Sequence, residues 1–350
     1  MIMKNRLLWP DLLKTLAILA VITIHSAAPL LIRYNQAGEN YWWTANLFNS
    51  LSRWCIPVFF MLSGAFLIPK AHLSLTQFFK KRVQRIIVPF ILWSFIYFLW
   101  RIHVNGEELQ LAQFFPMLIQ QPVYYHLWFF YVLIILYLFA PVLGVYFSCG
   151  RKSNAFYFFL LWLLSASILP LLQIYFDLNF HFPDSSENSP YYFLGYFFIG
   201  LMLRDITLQK REVPFFILLF LIGLLLTAYG TFDMVTANEG TFRGIFYRYN
   251  SPNVFLMAVS LFVLIKSIPL SQNRSQINLP ERLASCVPGI FLVHAMIIAI
   301  YKQGMLGFTL SETMYHPAWG IPVFTLAVYG GSLFITGIIK MIPVVKHTVP

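Results

Sequence analysis

From Leu7 to Met341 the chain is a succession of apolar runs, most of them long enough to cross a lipid bilayer, divided by short polar breaks. A helix needs about 20 apolar residues to span the hydrocarbon core. Backbone inside lipid must satisfy its own hydrogen bonds, so runs of this kind fold as helices. We read ten spans, at about residues 7–32, 46–69, 86–103, 127–147, 155–176, 190–204, 213–229, 253–267, 285–301 and 317–341. The runs at 190–204 and 253–267 are short for a full crossing. No internal repeat, low-complexity tract or soluble stretch interrupts the series, so residues 1–350 are expected to form one transmembrane domain. Composition agrees: 59% of residues are hydrophobic and 11% charged, with a mean hydropathy of +0.70, far from soluble usage. The expected fold is an all-α polytopic membrane protein of about ten transmembrane helices. The run Leu16 to Ile24 followed by Ser26, Ala27 and Ala28 has the form of a signal peptide, but Pro29 disfavours cleavage and the segment is read as a retained helix.

The basic residues orient this map. With the N-terminus inside, seventeen of the 24 Lys and Arg fall in cytoplasmic loops and flanks and five in outer loops; Lys14 and Arg53 lie within spans. This is the positive-inside bias. It predicts both termini in the cytoplasm and the loops near 33–45 and 177–189 outside. The same spread accounts for the net charge of +11 and a pI near 9.5. The basic residues occupy every second loop and form no single groove, so no nucleic-acid partner is expected; membrane lipids are. Glu39, Glu107, Glu108, Asp177, Asp184, Glu187, Asp233, Glu239 and Glu312 fall in predicted outer loops. Cys55, Cys149 and Cys286 give neither a disulfide framework nor a metal spacing, and no His pair is spaced for a metal.

Ionisable residues inside the apolar runs mark candidate chemistry, because charge in hydrocarbon is expensive and is retained for a task. Asp11, Lys14 and His25 lie in the first span. Lys14 and His25 are eleven residues apart, which on an α-helix puts them within roughly 20° of one face, with His25 about 16 Å deeper. Asp11 falls on the same side. In the second span Asn46, Asn49, Ser50 and Arg53 share a face, and Pro57 is expected to break the ladder and bend the helix. Arg53 either snorkels to the outer surface or faces His25 across a cavity and stabilises negative charge there. Ser63 and Gly64 permit close helix approach.

Lys80, Lys81, Arg82 and Arg85 precede the third span. They suit an ordinary cytoplasmic flank, and Arg82 with Arg85 also suits the phosphates of a nucleotide-like donor. His126 opens the fourth span beside Tyr124, Tyr125 and Trp128; an interfacial aromatic belt explains those rings but not the imidazole. His294 lies in mid-span, where an imidazole is either a packing residue or part of a site. His72, His103, His181, His316 and His347 lie in loops or at ends.

Taken in order, these motifs are specific. Lys14 and His25 are followed by Ser50, Ser52, Arg53, Pro57, Phe59, Phe60, Ser63 and Gly64, then by Arg82 and Arg85, by His126-Leu127-Trp128-Phe129, and by Gly289 through His294. The chain resembles the acyltransferase 3 family of bacterial membrane acyltransferases from about residue 9 to 340, and within it the O-acetyltransferases that modify enterobacterial common antigen. One departure is Lys14, where the family has Arg; lysine is not equivalent at a bidentate site, although the charge survives.

The resemblance implies an inner-membrane enzyme that takes an acetyl group from cytoplasmic acetyl-coenzyme A (acetyl-CoA), the donor substrate. It passes the group to a sugar hydroxyl of an envelope glycan such as enterobacterial common antigen, lipopolysaccharide or exopolysaccharide, with no permanently bound cofactor. His25 would remove the hydroxyl proton or carry the acyl group, and Arg53 would stabilise the oxyanion. Lys14, Arg82 and Arg85 would meet the coenzyme A phosphates. Asp11, His126 and His294 are supporting candidates; Glu39 is either an orienter of His25 or the acceptor, or a solvated loop carboxylate. The alternative within the same family is a glycan exporter or flippase that uses the same polar cavity without transfer chemistry. A generic ion-coupled transporter fits less well, since no inverted repeat and no intramembrane carboxylate beyond Asp11 is evident.

Overall fold

The computed structural model describes residues 7–68, 74–149, 152–176, 178, 188–269, 274–343 and 345–349. Lys4, Arg6, Lys70, Arg151, Asp177, Asp184 and Glu187 of the charge map, with His72 and His181, lie outside the described residues. The helices that build the molecule are α1 (Trp9–Leu31), α2 (Glu39–Ser52), α3 (Cys55–Leu67), α4 (Leu75–His103), α5 (Trp128–Cys149) and α6 (Asn154–Tyr175). They continue with α7 (Pro190–Leu203), α8 (Val213–Ala237), α9 (Pro252–Lys266), α10 (Arg274–Lys302) and α11 (Pro317–Met341). Among the described residues nine segments are long and apolar enough to cross a membrane, with α2 and α3 counted together. The all-α polytopic fold is therefore the observed one.

The sixth predicted span, 190–204, is α7, which has 14 residues and is not among those nine. It is short because it sits within the protein. Tyr192, Phe193, Tyr196, Phe197 and Phe198 are all buried around its circumference, as expected for a helix apolar on every side. It packs along α3 at a distance that only glycine allows. A Cβ on Gly64 would lie 1.6 Å from the Phe197 carbonyl oxygen, and one on Gly200 would lie 2.0 Å from that of Met61. Both clashes are with backbone, so neither helix can yield locally. Gly64→Ala is expected to destabilise the protein by about 1–3 kcal/mol, read as a lower Tm and a smaller monodisperse fraction in detergent. Gly337→Ala, whose added Cβ meets nothing within 4 Å, serves as the control and should change neither.

The predicted second span, 46–69, is two helices rather than one bent helix. Pro57 has no N–H to give the Arg53 carbonyl, and the chain turns at Arg53 and Trp54 before α3 begins. The Arg53 N–H instead closes a short turn onto the Ser50 carbonyl at 3.2 Å. The break places Arg53 at a helix joint inside the bundle. The third span is longer than predicted: α4 begins at Leu75, and its residues Val83–Ile87 form a π-helical turn. The basic stretch Lys80–Arg85 thus belongs to the helix rather than to a loop before it.

α1 is the hub. It packs against α2, α3, α9, α10 and α11, which is why its polar seam meets protein rather than lipid. Its hydroxyls are satisfied within the helix, Thr15, Thr23 and Ser26 each donating to the carbonyl four residues back at 2.9 Å. α8 lies at the opposite extreme. Only Gly223, Thr227, Ala228, Thr231 and Val235 are buried, a stripe of mostly small residues against α9. Asn253 locks that contact, donating to Thr227 Oγ1 at 2.8 Å and to the Phe246 carbonyl at 2.7 Å. The rest of α8 presents apolar side chains outward, as a lipid-facing helix does.

Candidate active site

A cavity of about 680 Å³ opens between α1, α3, α4, α5 and α10. Its cationic members are Lys14, Arg82 and Arg85; the remaining wall is largely apolar, with Ser63, Tyr137 and Ser285 as polar exceptions. Helix geometry brings the cations together. Lys14 lies one turn into α1, where it pairs with the buried Asp11 at 3.6 Å. Arg82 and Arg85, three residues apart, flank the start of the π turn of α4. The Arg82 guanidinium lies 4.9 Å over the Phe78 ring and 5.8 Å from that of Tyr137, contacts that hold it toward the cavity. On α10, Pro288 cannot serve the Ala284 carbonyl, and both residues line the cavity. That carbonyl therefore lacks the donor that an ordinary helical turn would supply.

Three imidazoles meet beyond the far end of this cavity. His25 of α1 and His294 of α10 stack with ring centroids 5.4 Å apart, and His126 stands edge-on to His294 at 5.0 Å. Tyr125 packs on His25 at 4.9 Å and Tyr97 on His126 at 4.9 Å. Tyr97 is fixed by donating to the Leu292 carbonyl at 2.7 Å. His294 Nδ1 lies 2.7 Å from the Phe291 carbonyl oxygen, so in the neutral ring Nδ1 carries the proton and Nε2 is left as an acceptor. That Nε2 is buried without a hydrogen-bond partner among the described residues. The ring nitrogens of His126 likewise make no hydrogen bond of good geometry, although the Leu292 backbone lies within electrostatic reach. A small cavity of about 30 Å³, bordered by His25 and His126, lies among these rings.

Arg53 approaches from the α2–α3 joint. Its Nε donates to Asn49 Oδ1 at 2.7 Å, Nη2 donates to the same oxygen, and Nη1 reaches the Tyr247 carbonyl at 3.3 Å. The guanidinium also lies 4.1 Å over the Tyr247 ring and 5.8 Å from that of Tyr249. Asn49 in turn donates to the Ile24 carbonyl at 3.1 Å, so one amide ties Arg53 to the turn of α1 that carries His25. A second network sets the 3₁₀ turn of His126. Arg101 binds both Glu107 oxygens through Nε, at 2.9 and 3.0 Å, and donates from Nη1 to the Val123 carbonyl at 3.1 Å. The Arg101 hydrogen bonds hold the Glu107 carboxyl below the usual carboxylate range.

The structure therefore brings the expected site residues into two groups: Lys14, Arg82 and Arg85 line the large cavity, with Asp11 paired to Lys14, and His25 and His126 line the small one, with His294 packed on both rings and Arg53 tied through Asn49 to the turn of α1 that carries His25. Glu39 stands apart. It is exposed in the first turn of α2, fourteen residues before Arg53 and so about 20 Å away along the helix. Tyr97, which packs on His126, and Tyr247 and Tyr249, which face the Arg53 guanidinium, carry no signal in the sequence that separates them from the chain's many other aromatic residues.

An acyltransferase-domain family model, Acyl_transf_3, matches residues 7–341. No curated protein and no solved structure matches the chain.

Proposed function

The chain belongs to the Acyl_transf_3 family and is a multi-pass membrane acyltransferase; from that premise we propose that it moves an acetyl group from acetyl-CoA to a sugar hydroxyl of an envelope glycan. The observation that carries this reading is the pairing of two cavities, one with cations at an apolar channel and the other with imidazoles, back to back along α1 and α10. Lys14, Arg82 and Arg85 suit the phosphates of coenzyme A. The apolar channel suits its pantetheine arm, whose amides find an acceptor in the Ala284 carbonyl. The thioester then lies toward His25. His25 takes the proton of the acceptor hydroxyl as that oxygen bonds to the acetyl carbon. The carbon–sulfur bond breaks, and the proton passes to the leaving thiolate. Arg53 stabilises the oxyanion formed on the way, with Asn49 and Tyr247 fixing its direction.

The positive-inside bias supports a cytoplasmic donor site, cytoplasmic termini and an inner-membrane location. Reporter fusions test this arrangement: a fusion after Lys210 should report a cytoplasmic position and one after Gly240 an outer position. The reverse pattern would invert the direction of transfer. The acceptor is tested by mass spectrometry of envelope glycans from cells with and without the gene. Acetyl esters that disappear with the gene support the enzyme. Unchanged esters on a glycan that no longer reaches the outer surface would instead make the protein an exporter.

A further inference from the structure

Phe129 and Phe291 are the two residues that border both the large cavity and the small one. Their rings lie 5.1 Å apart at a tilt of 50°. Each is packed against further rings: Phe129 on Phe60 at 4.8 Å, and Phe291 on Phe130 at 5.9 Å and His126 at 5.7 Å. The pair thus stands where the cationic cavity adjoins the one that His25 borders. Beyond it the space is about 30 Å³, room for one or two water molecules, and its remaining wall includes Val21, Ile24 and Ile56. A two-carbon acyl group can be accommodated there by a small shift of the rings. Each added methylene must displace packed apolar side chains, which a close-packed interior resists.

Resting on the acetyl-transfer reading above, we propose that Phe129 and Phe291 form an aromatic partition that sets acyl-chain length and keeps water from the thioester until an acceptor hydroxyl is in place. Hydrolysis is the side reaction that such a partition suppresses: a water oxygen bonds to the acyl carbon, the carbon–sulfur bond breaks, and free acid and coenzyme A thiol result. An apolar pair is suited to this because it offers water no hydrogen bond.

The test uses purified full-length wild type, Phe129→Leu and Phe291→Leu, substitutions that keep an apolar side chain at each site and are therefore expected to fold. Phe129→Trp is the narrowing variant. Each is supplied with acetyl- or butyryl-coenzyme A, with and without envelope glycan isolated from cells lacking the gene. Released thiol and ester formed on the glycan are both measured. The Leu variants are expected to raise the ratio of butyryl to acetyl transfer about tenfold or more, the scale of discrimination by one or two methylenes. They should also raise thiol release in the absence of glycan by a similar factor. Phe129→Trp should lower the butyryl to acetyl ratio. Wild type that transfers acetyl, with Leu variants that keep its chain-length ratio and thiol release, would overturn the partition and leave the transfer reading intact. Wild type that transfers no acyl group to glycan would overturn the transfer reading itself.

Discussion

His25→Ala is expected to lower acetyl transfer about 10²–10⁴-fold, the contribution of a positioned general base, while the protein still inserts and binds acetyl-CoA. Insertion should persist because alanine makes the first span more apolar. Binding should persist because Lys14 lies about 16 Å away along α1 and Arg82 and Arg85 line the other cavity. The loss should therefore appear in kcat and leave the donor Kd within a factor of a few. Rates in membranes, paired with donor titration of the purified variant, separate the two quantities. Near-wild-type kcat would remove His25 from the chemistry and move attention to His294, whose unpartnered Nε2 is the other acceptor at the stacked pair.

Arg82→Ala combined with Arg85→Ala is expected to have the second-largest effect, and on the opposite parameter. A charge-assisted contact is worth about 1.5–3 kcal/mol, so losing one weakens donor binding by about tenfold or more, and losing both weakens it further. At saturating acetyl-CoA, kcat should recover much of its wild-type value, because His25 and Arg53 are untouched. Lys14→Arg should bind the donor at least as well as wild type, and Lys14→Ala should not. Isothermal titration with acetyl-CoA reads all three. If the double variant binds the donor normally, the two arginines serve only to orient α4 in the membrane.

The helical, membrane-spanning fold was legible because hydropathy acts over whole segments. The polar seam of α1 was legible too, since Asp11, Lys14 and His25 fall on one face by helical period alone. What period cannot supply is the neighbour that a face meets. His294 stacks on His25 only because α10 packs against α1, and nothing in the spacing of either helix announces that contact. Pro57 was recognised as a bend, but period alone does not show that the helix breaks fully at Arg53 and Trp54, nor that Arg53 meets Asn49 and Tyr247 at that joint. The length of α7 misleads for a related reason: a helix buried within protein is not bound to the thickness of the bilayer. Glu39 was drawn toward the site by its position in the chain, whereas α2 carries it away along its axis.

The most direct measurement is transfer across a sealed membrane. Purified protein is reconstituted in vesicles, and molecules oriented with the α1 start outward are assayed with labelled acetyl-CoA outside and envelope glycan enclosed. The expected result is acetyl label in ester linkage on the enclosed glycan, with coenzyme A thiol released outside and label strongly reduced for His25→Ala. Glycan that leaves the vesicles without acquiring label, or label that reaches glycan equally well with His25→Ala, would contradict it.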